Sequence, residues 1–189
     1  MRVISGKFKG KPLYAPKGKK VRPTTDRVKE TLFSILFSKG AALDGKALDL
    51  FAGSGALGIE ALSRGAIECF FVDVDQDSIA LAKKNLTYVG ASSSSYKVYR
   101  ADYKKALGEL AGNKFDIIFI DPPFNSLVEL SSIEGILSND LLCDYGIIVI
   151  EHDVRHDLLQ LKQANLPLEF ETRTLGNTCL TFVTKEPID

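Results

Sequence analysis

Asp121-Pro122-Pro123-Phe124 sets two acceptors, two stiff residues and an aromatic face in four consecutive positions. Proline has no N–H and restricts the residue before it, so the Pro122 carbonyl can point at a substrate. A carboxylate and a carbonyl together can grip both hydrogens of an exocyclic amino group. That grip favours the pyramidal nitrogen, whose lone pair is free to attack a carbon. Phe124 adds a face on which a flipped-out base can stack. Taken alone, the segment reads equally well as a proline turn with a core phenylalanine.

A second constellation changes that balance. Asp49, Phe51, Gly53, Ser54, Gly55 and Gly58 lie in one stretch, DLFAGSGALG, which contains Gly-x-Gly-x-x-Gly. Asp73 follows about twenty residues after the first glycine. The motif alone admits NAD, with glycines letting the backbone approach and an acid on the ribose hydroxyls. Asp49 argues against it, because its carboxylate would face a pyrophosphate at a helix N-terminus. S-adenosylmethionine (SAM) reverses the sign, since its methionyl ammonium is a cation that Asp49 can pair with. Asp73 would then accept from the ribose hydroxyls, and Asp102 from the adenine amino group. Either of those two acids could instead cap a helix.

These residues need a scaffold that brings strand ends together. The pattern predicts strands at 47–51, 69–74, 96–99, 115–120 and 146–150. Between them it predicts helices at 56–64, 78–89, 104–111, 127–137 and near 154–163. Two late strands, near 168–175 and 179–184, join at Gly176-Asn177. Ahead of the first strand, Pro23-Thr24-Thr25-Asp26 reads as a helix start, and Gly40 ends that helix. Strands alternating with helices mean an α/β fold with a mostly parallel, seven-stranded sheet and an antiparallel edge hairpin. In such a sheet the glycine loop and Asp121 share one crevice. Residues 1–22, broken at Gly6, Gly10 and Pro12, read as a small basic hairpin extension on a domain spanning 23–189.

The 189 residues are 45% hydrophobic and 25% charged, an ordinary globular composition. No apolar run is long enough to span a membrane, and the first residues show no secretory signal. Cys69, Cys143 and Cys179 are far apart and form no C-x-x-C pair, so neither a disulfide framework nor a metal site is expected. A reducing cytoplasm is the natural setting. The net charge of zero hides an asymmetry: residues 1–39 carry a balance of +9 and residues 40–189 a balance of −9. A basic arm on an acidic body points to a polyanionic partner, nucleic acid first.

With these residues in view, the chain resembles a known family. The glycine loop and Asp121–Phe124 look like those of class I SAM-dependent amino-group methyltransferases, which have a Rossmann-like fold. Three stretches narrow the resemblance: RVISG at 2–6 with Lys9-Gly10, RPTTDRVKETLF at 22–33, and DLFAGSGALGIEALSRG at 49–65. Together they resemble the bacterial 16S ribosomal RNA guanine-N2 methyltransferases of the RsmD type, from residue 2 to beyond Glu151. The resemblance implies methylation of one guanine in 16S rRNA or the small ribosomal subunit, with SAM as cofactor and no metal. It assigns the acceptor site to Asp121, Pro122, Pro123 and Phe124, and the SAM loop to Asp49–Gly58. Relatives often carry Glu at the ribose position, where this chain has Asp73. Arg22, Thr24, Thr25 and Arg27, with Glu30, would close over SAM or touch RNA. A monomer is expected. His152 and His156 are read as surface residues and Glu151 as a supporting group. The rival readings are a methyltransferase acting on adenine N6 or a protein glutamine, and an NAD-dependent oxidoreductase.

Overall fold

The computed structural model describes residues 1–16, 25–123, 128–156 and 158–186. Seven strands form one sheet: Lys46–Asp49 (β1), Glu68–Asp73 (β2), Tyr96–Arg100 (β3), Phe115–Ile120 (β4), Leu142–Asp153 (β5), Leu168–Leu175 (β6) and Thr178–Lys185 (β7). Their spatial order is β3-β2-β1-β4-β5-β7-β6. β1 through β5 run parallel, and β7 lies antiparallel between β5 and β6. The helices are Asp26–Ser38 (α1), Ala56–Arg64 (α2), Gln76–Val89 (α3), Tyr103–Glu109 (α4), Glu129–Ser138 (α5) and Leu159–Gln163 (α6). The chain leaves β1 towards β2 on one side and later returns to β4 on the other. That reversal opens a crevice at the carboxyl ends of β1 and β4.

The central strands read as nearly unbroken apolar runs because both faces are covered. Alternate residues go to opposite layers. Ala47, Cys69, Phe71, Ile117, Phe119, Ile147 and Val149 pack with α1, α2 and α3. Leu48, Phe70, Val72, Ile118, Ile120, Ile148 and Ile150 pack with residues of α4, α5 and α6.

Three boundaries depart from the sequence expectation by more than two residues. β5 starts at Leu142, where it pairs with Phe115, and extends to Asp153 because β7 pairs with it as far as Asp153↔Thr178. α6 begins at Leu159 and not near 154, because Asp153 ties up the intervening turn. Its Oδ1 accepts from the Arg155 N–H at 2.9 Å and from the guanidinium at 2.8 Å.

The N-terminal residues share the core of the sheet. Arg2 and Pro12 form an antiparallel bridge, and Val3, Phe8 and Leu13 are buried in the same cluster as α1, α2 and α3. Gly6 has φ +79°, and a Cβ there would sit 1.8 Å from the Ser63 carbonyl oxygen, so only glycine lets the backbone lie this close to α2. Glu60, fully buried, accepts from the N–H groups of Ile4 (2.8 Å) and Ser5 (3.0 Å) and from Arg64 Nε (2.8 Å). The equally buried Lys29 ammonium lies 3.7 Å from Glu60 and donates to the Arg2 carbonyl. Burial lowers the Lys29 pKa, and the Glu60 charge opposes that shift.

Removing one partner would strand the other. Glu60→Ala is expected to cost about 3–5 kcal/mol in urea denaturation. Adding Lys29→Met to it should restore part of that loss, because the uncompensated ammonium goes as well. A double variant that loses the sum of the two single losses would show that the pair is not coupled.

Candidate active site

The loop after β1 is shaped by backbone bonds to both neighbouring strands. Leu50 N–H donates to the Phe119 carbonyl at 3.1 Å, and Ala52 N–H to the Val72 carbonyl at 2.9 Å. Gly53 (φ +52°) and Gly55 (φ +77°) then turn the chain into α2. The glycines differ in what they do. A Cβ on Gly53 would meet nothing within 4 Å, so this position opens on the crevice. A Cβ on Gly58 would lie 2.3 Å from the Phe71 ring, so this glycine serves close helix–sheet packing.

Gly55 caps α2 without a side chain. Asp49 does that work from the strand, its Oδ2 accepting the Gly58 N–H at 3.0 Å. Asp49 is 2% exposed. Burial pushes its pKa up to about 7, the Gly58 N–H opposes the shift, and the Asp73 charge adds to it. No basic side chain pairs with Asp49 among the described residues.

Asp73 stands at the end of β2 and braces the loop. Its Oδ2 accepts from Gly53 N–H at 2.8 Å and its Oδ1 from Asp75 N–H at 2.9 Å. Asp102 caps α4, with Oδ1 accepting from Lys104 N–H at 2.9 Å. Phe51 lies half-buried against Tyr103, ring centroids 5.4 Å apart. Asp121 begins the turn after β4, two residues beyond Phe119, which pairs with Asp49 across the parallel ladder. The structure therefore brings Asp121 and Pro122, both half-buried, to the same sheet edge as the glycine loop, with Pro123 exposed beside them. Phe124 lies outside the described residues, as do Arg22 and Thr24. Thr25 caps α1, its hydroxyl accepting from Val28 N–H at 3.3 Å, and Arg27 and Glu30 are exposed. The first turn of α1 approaches the loop through the chain terminus. Arg2 pairs with Asp26 at 3.2 Å, and the neighbouring Met1 sulfur accepts from the Ser54 hydroxyl at 3.9 Å.

His152 and His156, expected at the surface, are partly buried, because the long β5 carries His152 against β7 and the turn after it brings His156 against α5. His152 Nε2 lies 2.9 Å from Thr181 Oγ1, and burial lowers its pKa. His156 Nε2 is 3.6 Å from the buried Glu129. Glu151 follows Ile150, the partner of Ile120, and so lies within β5 beside the end of β4, next to Asp121.

The sequence reading missed Asn85, Tyr103 and Val74. Asn85 is fully buried and bonds Tyr14 twice, accepting from its N–H at 2.8 Å and donating to its carbonyl at 3.0 Å. The same amide donates to the Ser54 carbonyl in the glycine loop at 2.9 Å. Its signal was an amide at core spacing, among Ala82, Leu86 and Val89. Tyr103 supports Phe51 and bonds Ser131 at 2.7 Å. Val74, 65% exposed, is an apolar residue directly after the strand-end acid.

The buried Asp49 carboxylate, with no basic partner among the described residues, separates the possible ligands. A dinucleotide pyrophosphate would add negative charge to a site already holding Asp49 and Asp73, whereas SAM brings an ammonium and a sulfonium. The residues present fit SAM, and fold and site together define a class I SAM-dependent methyltransferase. The family described as conserved hypothetical protein 95 matches residues 1–184, and the chain belongs to that family, the RsmD type of its sequence resemblance. It is 45% identical over 156 residues to YlbH of Bacillus subtilis, covering 81% of this chain and 83% of the relative. It is 37% identical over 160 residues to the ribosomal RNA small subunit methyltransferase D of Escherichia coli, covering 84% of this chain and 77% of the relative. The solved structure of the Escherichia coli protein yhhF superposes with a TM-score of 0.83 at 32% identity, over 98% of both chains. Among the described residues no cluster of His, Cys, Asp or Glu could hold a metal ion, and no helix is long and apolar enough to cross a membrane.

Proposed function

We propose that the protein methylates the exocyclic N2 amino group of a guanine in 16S ribosomal RNA, in a bacterial cytoplasm. The observation that carries this reading is the turn Asp121-Pro122 opening beside the glycine loop, in a chain akin to a small-subunit RNA methyltransferase. Three free cysteines, Cys69, Cys143 and Cys179, suit a reducing compartment. Residues 1–22 are read as a basic extension of a catalytic domain spanning 23–189.

SAM supplies an electrophilic methyl group on a sulfonium and leaves as S-adenosylhomocysteine. Asp49 holds the methionyl ammonium from beneath the loop. Asp73 accepts from the ribose hydroxyls with the lone pairs its two backbone bonds leave. Asp102, likewise only partly committed to its cap, accepts from the adenine amino group, and Val74 offers that ring an apolar edge. Asp121 and the Pro122 carbonyl each take one hydrogen of the guanine amino group, and Phe124 holds the base plane. The amino nitrogen becomes cationic and acidic on methylation, so its proton passes to solvent water without a strong base.

Inosine at the target nucleotide tests the acceptor atom, because it lacks only the N2 amino group. Methylation should vanish with inosine RNA, measured by mass mapping of the product. A methyl group found on inosine at the same nucleotide would show that another atom is the acceptor. A mass shift on adenine or on a protein glutamine, with none on guanine, would favour the rival substrate.

A further inference from the structure

Away from the crevice, α3 and the N-terminal segment enclose a depression of about 470 Å³ lined by Tyr14, Ala80, Lys83, Lys84, Thr87 and Tyr88. Tyr14 and Tyr88 are 42% and 47% exposed, large rings left in water. They meet edge to face with centroids 5.4 Å apart. The Lys84 ammonium sits 3.6 Å from the centre of the Tyr14 ring, and Lys83 is exposed beside it. Among the described residues no acid lines the depression; Asp77 lies one helical turn before Ala80, at its margin. Lysines interleaved with exposed aromatic rings suit a nucleic-acid strand, the rings stacking on bases and the ammonium groups pairing with phosphates.

The depression is also tied to the cofactor loop. Both backbone polar groups of Tyr14 are held by the Asn85 side chain, which reaches the Ser54 carbonyl on its other side. One buried amide thus fixes the aromatic platform relative to the glycine turn. A packing role alone would not leave two tyrosines and two lysines at the surface around an acid-free hollow.

We propose that Tyr14, Lys83, Lys84 and Tyr88 form a second RNA-contact surface that holds the substrate strand flanking the target guanine. This rests on the RNA reading above and adds where the flanking nucleotides are gripped. Lys83 and Lys84 bind phosphates, and Tyr88 and Tyr14 stack bases. Asn85 is the positioning residue that keeps this surface in register with the loop.

The test uses the full chain with small-subunit RNA and small subunits from a strain lacking this gene. Lys83→Glu/Lys84→Glu should raise KM for RNA at least tenfold and lower the slope of log affinity against log salt by about one to two. kcat at saturating RNA and the affinity for S-adenosylhomocysteine should not move. Lys83→Arg/Lys84→Arg should restore binding. Tyr88→Ala should weaken RNA binding about five- to a hundredfold with the salt slope unchanged. Wild-type KM and slope in the charge-reversal variant, with guanine methylation intact, would overturn this surface and leave the proposed function standing. Loss of affinity for assembled subunits alone, with naked RNA bound as before, would overturn it in favour of a protein contact. Wild-type enzyme that methylates no RNA would overturn the functional reading itself.

Discussion

Asp121→Ala should lose methyl transfer by about a hundredfold or more while its affinity for S-adenosylhomocysteine stays within about twofold. The two observables separate because Asp121 stands at the end of β4, one strand away from Asp49 on β1 and two from Asp73 on β2. Guanine N2 is a poor nucleophile, since its lone pair is delocalised into the ring. The sulfonium is already an activated donor. The barrier therefore lies in presenting the nitrogen in line with the S–CH3 bond, and orientation of this kind supplies several kcal/mol. Without the carboxylate, the Pro122 carbonyl holds one hydrogen only and the amino group turns back into conjugation. Asp121→Asn, which keeps one acceptor oxygen in place, should fall between wild type and Asp121→Ala. Single-turnover rates with saturating SAM and RNA provide the measurement. An alanine variant as fast as wild type would remove Asp121 from the chemistry.

Most of the scaffold was legible because its signals are local. β4 lies at 115–120 as read, since a central strand covered on both faces must be apolar throughout. α2 starts after a glycine turn and stops at Gly65, and both limits are visible in the sequence. What was hidden depends on distant partners. β5 is twelve residues long because Leu142 pairs with Phe115 of β4 and β7 pairs along its polar end, and no local pattern of apolar residues marks Glu151-His152-Asp153 as strand. The same long-range pairing drew His152 inward, and the turn that follows set His156 against Glu129. Within the glycine motif, spacing could not tell Gly53, which opens on the crevice, from Gly58, which abuts Phe71. The basic first residues read as a hairpin extension, and Val3, Phe8 and Leu13 within it are core. Their apolar spacing was visible, but the acceptors that hold them, Glu60 and Asn85, lie more than fifty residues away.

Asp49→Asn should make the ligand-free protein more stable and the cofactor complex weaker. The Asp49 carboxyl is pushed up to about 7 from an ordinary 3.8, so the folded state holds a proton that the unfolded chain releases. Stability is then highest below the unfolded value and is lost as pH rises from about 4 through about 7. Above that window the full cost of an ionised, buried and unpaired carboxylate is present. Asparagine retains an oxygen for the Gly58 N–H and carries no charge, so at pH 8 the variant should gain roughly 1–4 kcal/mol in urea denaturation. Ligand binding reverses the argument. The methionyl ammonium pairs with the ionised form and lowers its pKa, so binding releases a proton. Affinity for S-adenosylhomocysteine should rise with pH, by at most about tenfold per unit, and level off near pH 7. Asp49→Asn should weaken binding by about 1–3 kcal/mol at pH 8 and flatten that pH dependence. Calorimetry from about pH 5.5 to 8.5, in buffers of different ionisation heat, reads both the affinity and the released proton. A wild-type affinity flat across that range, or an asparagine variant that binds as tightly and unfolds as easily as wild type, would mean that Asp49 only caps α2. The stability lost at this position is the cost of keeping a buried carboxylate, held by the Gly58 N–H alone among the described residues, ready for a cation.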